Sequence, residues 1–503
     1  MSRPFDVVIL GSGFAGSLLG LLLRKRGLSV LVIDRQKHPR CAIGESSTPS
    51  ADFILESLCE EYDLPQLKPL CRYGSWCRAQ PDVSRGLKRG FSYFHHHEGR
   101  KFTTGSNHER ELLVAASANN EVGDTHWYRA DVDAFIARLF VEAGGQLWEE
   151  TTVQSMEAGP DWVLTYEHRG GVTTQVEANF LVDGTGGDSA LVRSLGLTSD
   201  VESLSTHTRS VFAHFHGVRK WGDLLADASI EQVDHPYPCD QAALHHIIDG
   251  GWMWILRFDN GITSVGWALD GHRHPVPANT TPAEEWQLWL SRYPSIANQL
   301  RAAHPALPFT AENPTARTGR LQRLVSQAAG SNWALLPHTA GFIDPLYSTG
   351  IAQSLLGVER LAAILSDRSS PANREADLTR YSQAVRQETR LIDELISLAI
   401  RTMGRDPRLL HAASMLYFAA ATTFETRRGR GRRESFLLAD DAAFREVVAD
   451  LAQTFPDSDG SGANSVNEWS QRVESLIAPW NSVGLFRPSQ PNMYWYTAAD
   501  KGE

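Results

Sequence analysis

Gly11, Gly13 and Gly16 stand at the spacing G-x-G-x-x-G, a pattern whose chemistry is phosphate binding. Gly11 allows a tight turn, Gly13 lets the backbone approach a pyrophosphate, and Gly16 lets a helix pack closely on a strand. Phe14 and Ala15 would open that helix, whose free N–H groups and positive dipole end face the phosphates. The apolar run Val7-Val8-Ile9-Leu10 precedes the glycines, a helix-like stretch reaches Arg26, and Val30-Leu31-Val32-Ile33 ends in Asp34, placed to accept hydrogen bonds from a ribose. Strand, glycine turn, helix, strand and acid together predict the opening unit of a dinucleotide-binding fold.

The elements that position these residues recur further along. Phe180-Leu181-Val182-Asp183-Gly184-Thr185-Gly186 and Trp333-Ala334-Leu335-Leu336, leading to Gly341, read as later strands of the same sheet. Between them lie β-like runs, among them Ser210 to His216, Trp252 to Leu256 and Thr263 to Trp267. The pattern predicts a discontinuous nucleotide domain from 1–100, 125–205 and 320–365, a β-rich substrate domain from 100–125 and 205–320, and a helical cap over 366–503. The clearest loop is Asp457 to Ser465.

Composition narrows the function. The 503 residues are 42% hydrophobic and 21% charged, as in an ordinary globular chain of several domains. With 48 basic and 59 acidic residues the net charge is -11, so no nucleic-acid partner is expected and a small molecule is the default. Five cysteines without a C-x-x-C pair suit a reducing compartment, and no run reaches the roughly 20 apolar residues of a membrane span, so a cytoplasmic enzyme without membrane contact is expected.

Four further segments complete a resemblance to the flavoprotein monooxygenase superfamily, and within it to the flavin-dependent halogenases of non-tryptophan type. They are Gly44-Glu45-Ser46, Gly86-Leu87-Lys88-Arg89-Gly90-Phe91, Gly251-Trp252-Met253-Trp254-Ile255-Leu256 and Asp344-Pro345-Leu346-Tyr347-Ser348-Thr349-Gly350-Ile351. The likeness covers residues 5 to 365 and implies an α/β fold: a Rossmann-like FAD-binding domain, a β-sheet substrate domain and a helical carboxy-terminal region. It implies FAD contacts at Gly11, Gly13, Phe14, Ala15, Gly16, Asp34, Glu45, Ser46, Arg129, Asp183, Asp344, Gly350 and Ile351. Backbone amides at Ser348, Thr349 and Gly350 would hold chloride or bromide, Trp252, Trp254 and Tyr347 would line the substrate pocket, and Lys88 would be catalytic.

A tyrosine at 347, where tryptophan halogenases carry glutamate, implies a phenolic or pyrrolic ring as substrate. The implied reaction takes FADH2 from a separate flavin reductase, and with O2 and halide makes hypohalous acid for natural product biosynthesis. The aromatic substrate would be free or tethered to a carrier protein. Leu256 and Arg257 replace the family's Ile-Pro, and a flavin-dependent aromatic hydroxylase or other FAD-dependent oxidoreductase is the alternative.

Other clusters are read as non-sites. His95-His96-His97 and His245-His246 would alternate across a strand and cannot converge on one ion, so no metal is expected. His214 and His216 share a face that could meet substrate or form a polar wall. The run Arg427 to Arg433 reads as a solvated loop.

Overall fold

Strand Val7–Leu10 lies parallel to Val30–Ile33 on one side and to Leu181–Asp183 on the other, so Gly11, Asp34 and Gly184 meet at one sheet edge. The computed structural model describes residues 4–168, 171, 173–307, 314–367, 370–431, 434–456 and 463–498. The first sheet has six strands, in the order Ala329–Gly330, Trp333–Leu335, Leu181–Asp183, Val7–Leu10, Val30–Ile33 and Gln146–Trp148; only the first pair is antiparallel. Helix Phe14–Lys25 packs on this sheet through an almost wholly buried apolar stretch and leaves its basic end, Arg24 and Lys25, at the carboxy terminus.

A nine-stranded, mostly antiparallel sheet forms the second layer. Side chains on its strands alternate between two cores. Trp252, Trp254 and Leu256 join the core shared with the nucleotide domain, whereas Met253 and Ile255 point into a second core with Trp221, Trp286 and Trp289 of the covering helices. The same alternation sends Phe91, Tyr93, Ala243 and Phe212 toward the nucleotide domain.

Three differences from the sequence reading concern boundaries. Strand Gly90–His95, expected in the nucleotide domain, pairs with Glu111–Ala115 and Ala243–Ile248 in the nine-stranded sheet. The carboxy-terminal region supplies helices Pro371–Thr402, Pro407–Gly429, Ala442–Gln453 and Ala463–Ile477, but its strand Met493–Tyr494 then joins the same sheet beside Glu111–Ala115. Of the loop expected at 457–465, residues 457–462 lie outside the described residues and 463–465 open a helix.

The start of the arginine run is not a solvated loop, whereas Arg430 and Gly431 beyond it are exposed. Arg428 is buried on the last turn of Pro407–Gly429 and both terminal nitrogens reach Glu359, while Arg427 holds Glu434; Arg432 and Arg433 lie outside the described residues. Among the described residues no helix is long and apolar enough to cross a membrane.

Candidate active site

The glycine run forms a cradle in which each position has a different clearance. Gly11 has φ +95°, and a Cβ there would lie 2.8 Å from the Gly184 carbonyl oxygen; at Gly16 it would lie 2.1 Å from the Gly11 carbonyl oxygen. At Gly13 a Cβ would make only ordinary contacts, with the Arg40 guanidinium at 3.5 Å and the Arg129 guanidinium at 3.6 Å, so two cations border the start of helix Phe14–Lys25. That combination, tight below and bordered by guanidinium groups above, fits a pyrophosphate lying on the helix amides.

Asp34 lies at the adjoining groove, a cavity of about 300 Å³ that Gly11, Gly184 and Thr185 also line. Its carboxylate accepts from the Ser12 amide at 2.8 Å and the Gln36 amide at 2.8 Å. Burial works to raise its pKa, but the Arg40 guanidinium and these donors outweigh it and hold the group below the usual aspartate range. Asp183 does not reach either cavity: wholly buried, it accepts from Thr185 and Ser189 and shapes the turn that sets Gly184 and Thr185 in both walls.

The larger cavity, about 460 Å³, connects cofactor cradle to substrate sheet. Gly13, Phe14, Ala15, Glu45, Ser46 and Arg129 line one side; Asp344, Ser348, Gly350 and Ile351 another; Trp252, Trp254 and His245 the sheet side. Arg129 is held by Asp133 at 2.7 Å and donates to the Ile43 carbonyl at 2.8 Å, which fixes the segment before Glu45.

Ser348 adopts left-handed backbone with φ 56° and provides no side-chain cap to helix Thr349–Ser366. The first amides of that helix therefore have no intrahelical acceptor, and at Gly350 an added Cβ would meet nothing within 4 Å. An anion fits there without a basic side chain. Asp344, wholly buried before this turn, accepts from Thr208 at 2.6 Å and the Leu346 amide at 3.0 Å; burial pushes its pKa up to about 6 despite those donors.

Tyr347 departs from the expected pocket role. Its ring is fully buried, stacks on Tyr417 at 4.1 Å, and does not line the cavity. Alternation of side chains along the turn sends it into the cap while Ser348 faces the cavity. Thr349 likewise is not a wall residue, leaving only its backbone for the anion role.

Lys88 is fully buried at the end of strand Arg85–Lys88. Its Nζ donates to the Ser47 carbonyl at 2.6 Å and sits 4.1 Å from the Phe91 ring centroid, so it lies one residue behind the cavity wall at Ser46. Phe91 stacks on His245, which in turn contacts Trp252 at 4.9 Å. Burial, then the charge of Lys88, hold the His245 pKa well below its ordinary value, so this wall is a neutral imidazole. The sequence reading rejects His245 as a metal ligand and gives it no other role; its register opposite Trp254 puts it on the tryptophan face.

His214, left open between two readings, points at Glu45: Nε2 lies 2.7 Å from Oε1, and both are buried. Burial alone would lower the imidazole, but the Glu45 carboxylate and the Cys41 thiol outweigh it and its pKa is pushed up to about 10. A histidine raised in the folded state adds stability that is complete below its unfolded value near about 6.5 and is lost as pH climbs through the folded value. The melting-temperature gap between the wild type and Glu45→Gln is therefore expected to stand at its full size up to pH ~6.5 and to shrink from there toward the folded value. Thermal melts across that range check this; a constant gap would remove the ion pair as its cause.

A dinucleotide cradle, an uncapped helix start and an apolar tunnel between them define an FAD-dependent oxidoreductase. A family model described as FAD dependent oxidoreductase matches residues 6–220, and one described as Tryptophan halogenase matches residues 125–409. Tetracycline 7-halogenase of Kitasatospora aureofaciens is 32% identical over 399 residues, which are 78% of this chain and 68% of that protein. Monodechloroaminopyrrolnitrin halogenase PrnC of Pseudomonas fluorescens is 30% identical over 401 residues, 78% of this chain and 66% of that one. The chain thus spans about two thirds of the length of these relatives. The crystal structure of halogenase PltM in complex with phloroglucinol and FAD has a TM-score of 0.83 at 24% identity, over 98% of this chain and 99% of that one. The chain belongs to the tryptophan halogenase family of flavin-dependent halogenases. Its cofactor is FAD, and its co-substrate is a halide.

Proposed function

We propose that the chain chlorinates or brominates a small phenolic or pyrrolic ring, with Lys88 presenting the halogen to it. The observation that carries this reading is continuity: one cavity is walled by the cofactor cradle and by Trp252, Trp254 and His245, and Phe91 links His245 to the Lys88 ammonium. Bound in the cradle, reduced FAD would supply two of the four electrons that O2 takes up, and the halide, giving the other two, would become hypohalous acid with release of water.

The chain's own residues do the rest. Gly13, Phe14 and Ala15 would hold the phosphates through the helix start, while Glu45, Ser46 and Arg129 would hold the rest of the cofactor from the same wall. The amides after Ser348 hold the halide. Trp252 and Trp254 exclude water between the cofactor and the sheet, so a diffusing oxidant is confined. Lys88, held by the Ser47 carbonyl, hydrogen-bonds the acid as an ammonium or, as the free amine, takes its halogen on Nζ with release of water, and aims it at the substrate's most electron-rich carbon.

Relatives support the substrate class: PltM was crystallised with phloroglucinol, and a 23% identical protein from Pseudomonas fluorescens strain Pf-5 is a 1H-pyrrole-2-carbonyl-[peptidyl-carrier protein] chlorinase. A single glycine fingerprint, filled by FAD, supports a separate reductase as electron donor. Product is therefore expected from FAD, NADPH and an added flavin reductase, and none when the reductase is omitted. Mass spectrometry of a panel of phenols and pyrroles, free and carrier-tethered, reads both the donor and the ring preferred; full turnover with NADPH and no reductase would overturn the external donor.

A further inference from the structure

We propose a second site, unrelated to the flavin: a zinc-type cation held by His108, Glu111 and His235. None of the three lines the flavin cavity. Glu111 opens strand Glu111–Ala115, next to the edge strand Met493–Tyr494 of the nine-stranded sheet, His108 lies in the turn just before it, and His235 comes from the segment between helix Trp221–Asp227 and strand Ala243–Ile248. All three side chains are buried, and one ligand atom from each lies within 4.8 Å of the others.

The cluster is not completed by its own hydrogen bonds. Neither ring nitrogen of His235 has a hydrogen-bond partner, nor does Glu111 Oε1, although all these atoms are buried. Such groups are costly to bury without a partner. His235 Nε2 faces Glu111 Oε1 at 3.6 Å, the separation at which a shared cation satisfies both. On the other side His108 Nδ1 meets Glu111 Oε2 at 2.5 Å, while its Nε2 is directed at Asp234 at 3.4 Å. A histidine that binds metal through one nitrogen and is oriented by a carboxylate at the other is the usual arrangement around zinc.

The donor set selects the ion. Two imidazoles and one carboxylate suit zinc and its neighbours, whereas calcium and magnesium require oxygen ligands throughout. Zinc at about 2.0–2.2 Å from tetrahedral donors separates them by roughly 3.3 Å, so His108 and Glu111 need to part by less than ~1 Å. The ion would tie two loops to the start of strand Glu111–Ala115. It would also brace the carboxy-terminal strand, because Asn492 donates to the His108 carbonyl at 2.8 Å and accepts from the Leu113 amide at 3.0 Å. The consecutive histidines of the sequence form no such group; His96 and His246 instead hydrogen-bond each other at 2.9 Å.

The test uses full-length, FAD-loaded protein without a histidine tag, stripped with a chelator and titrated with ZnCl2. One zinc per chain is expected, with a melting temperature raised by roughly 3–5 °C. Glu111→Gln should weaken zinc binding at least ~100-fold and Asp234→Asn about 10-fold. His207→Gln, which breaks an exposed histidine pair able to bind zinc adventitiously, should leave the stoichiometry at one. If Glu111→Gln fails to fold, as judged by FAD binding, the partly exposed Asp234→Asn decides. Zinc bound no more tightly than by an unrelated protein, or binding that His207→Gln removes and Asp234→Asn leaves unchanged, would overturn the site.

Discussion

Lys88→Ala is expected to lower halogenated product by at least ~100-fold, the scale at which a positioned proton donor or carrier acts. The ammonium is fully buried, burial and the Lys88 charge hold both nearby imidazoles, His245 and His126, well below their ordinary pKa, and the Phe91 side chain has no polar atom. Flavin affinity should be unchanged, because Lys88 is not among the residues that wall the cavity and its ammonium is directed at the Ser47 carbonyl and the Phe91 ring. Oxidant should still form and escape, so a 1,3-dicarbonyl trap should collect what the substrate no longer receives. Lys88→Met, which keeps most of the side-chain volume, should behave as Lys88→Ala does and thereby separate loss of the amine from loss of packing. Product at the wild-type rate from either variant would remove Lys88 from the chemistry.

The second large effect concerns the cradle and splits by position. Gly13→Ala meets nothing closer than 3.5 Å, so its melting temperature without cofactor should match the wild type. The new methyl occupies the face on which the pyrophosphate lies, and FAD affinity should fall by about 100-fold, or ~3 kcal/mol. Gly16→Ala sets a methyl 2.1 Å from the Gly11 carbonyl oxygen, and backbone must shift to admit it. It should lose FAD binding and also about 1–3 kcal/mol of stability. Fluorescence titration with FAD and thermal melts of both apoproteins check the pair; equal melting temperatures with equal affinities would contradict the cradle.

How much of this was legible in the sequence follows the distance over which each feature is determined. The glycine cradle and Asp34 are set within about 30 residues, by strand, turn and helix in succession, and the local pattern sufficed. The tryptophan face needed only the period of two along one strand. Burial of Lys88 was not legible, because it depends on strand Arg85–Lys88 pairing with Asp124–Trp127 and on the Ser47 carbonyl arriving from another segment. Tyr347 was misassigned for the same reason: its stacking partner, Tyr417, comes from a cap helix that no motif covered. The Glu45 and His214 pair joins residues 169 positions apart, and Asp183 looked like a cofactor contact because its role in closing its own turn leaves no mark on the motif. Strand Gly90–His95 followed the nucleotide-domain segment in the chain but took its neighbours from the other sheet, where its Phe91 and Tyr93 face the core.

The central claim is that the oxidant made at the flavin leaves the cradle as a halogen donor and reaches the substrate as such. The most direct measurement is the mass of the product from a single turnover of the reduced, FAD-loaded protein with O2, bromide and an electron-rich phenol. The account predicts a brominated ring with the paired isotope peaks of bromine, formed only when bromide is present. A ring that gains oxygen, at the same rate with bromide or without it, would contradict the account and make the protein a hydroxylase.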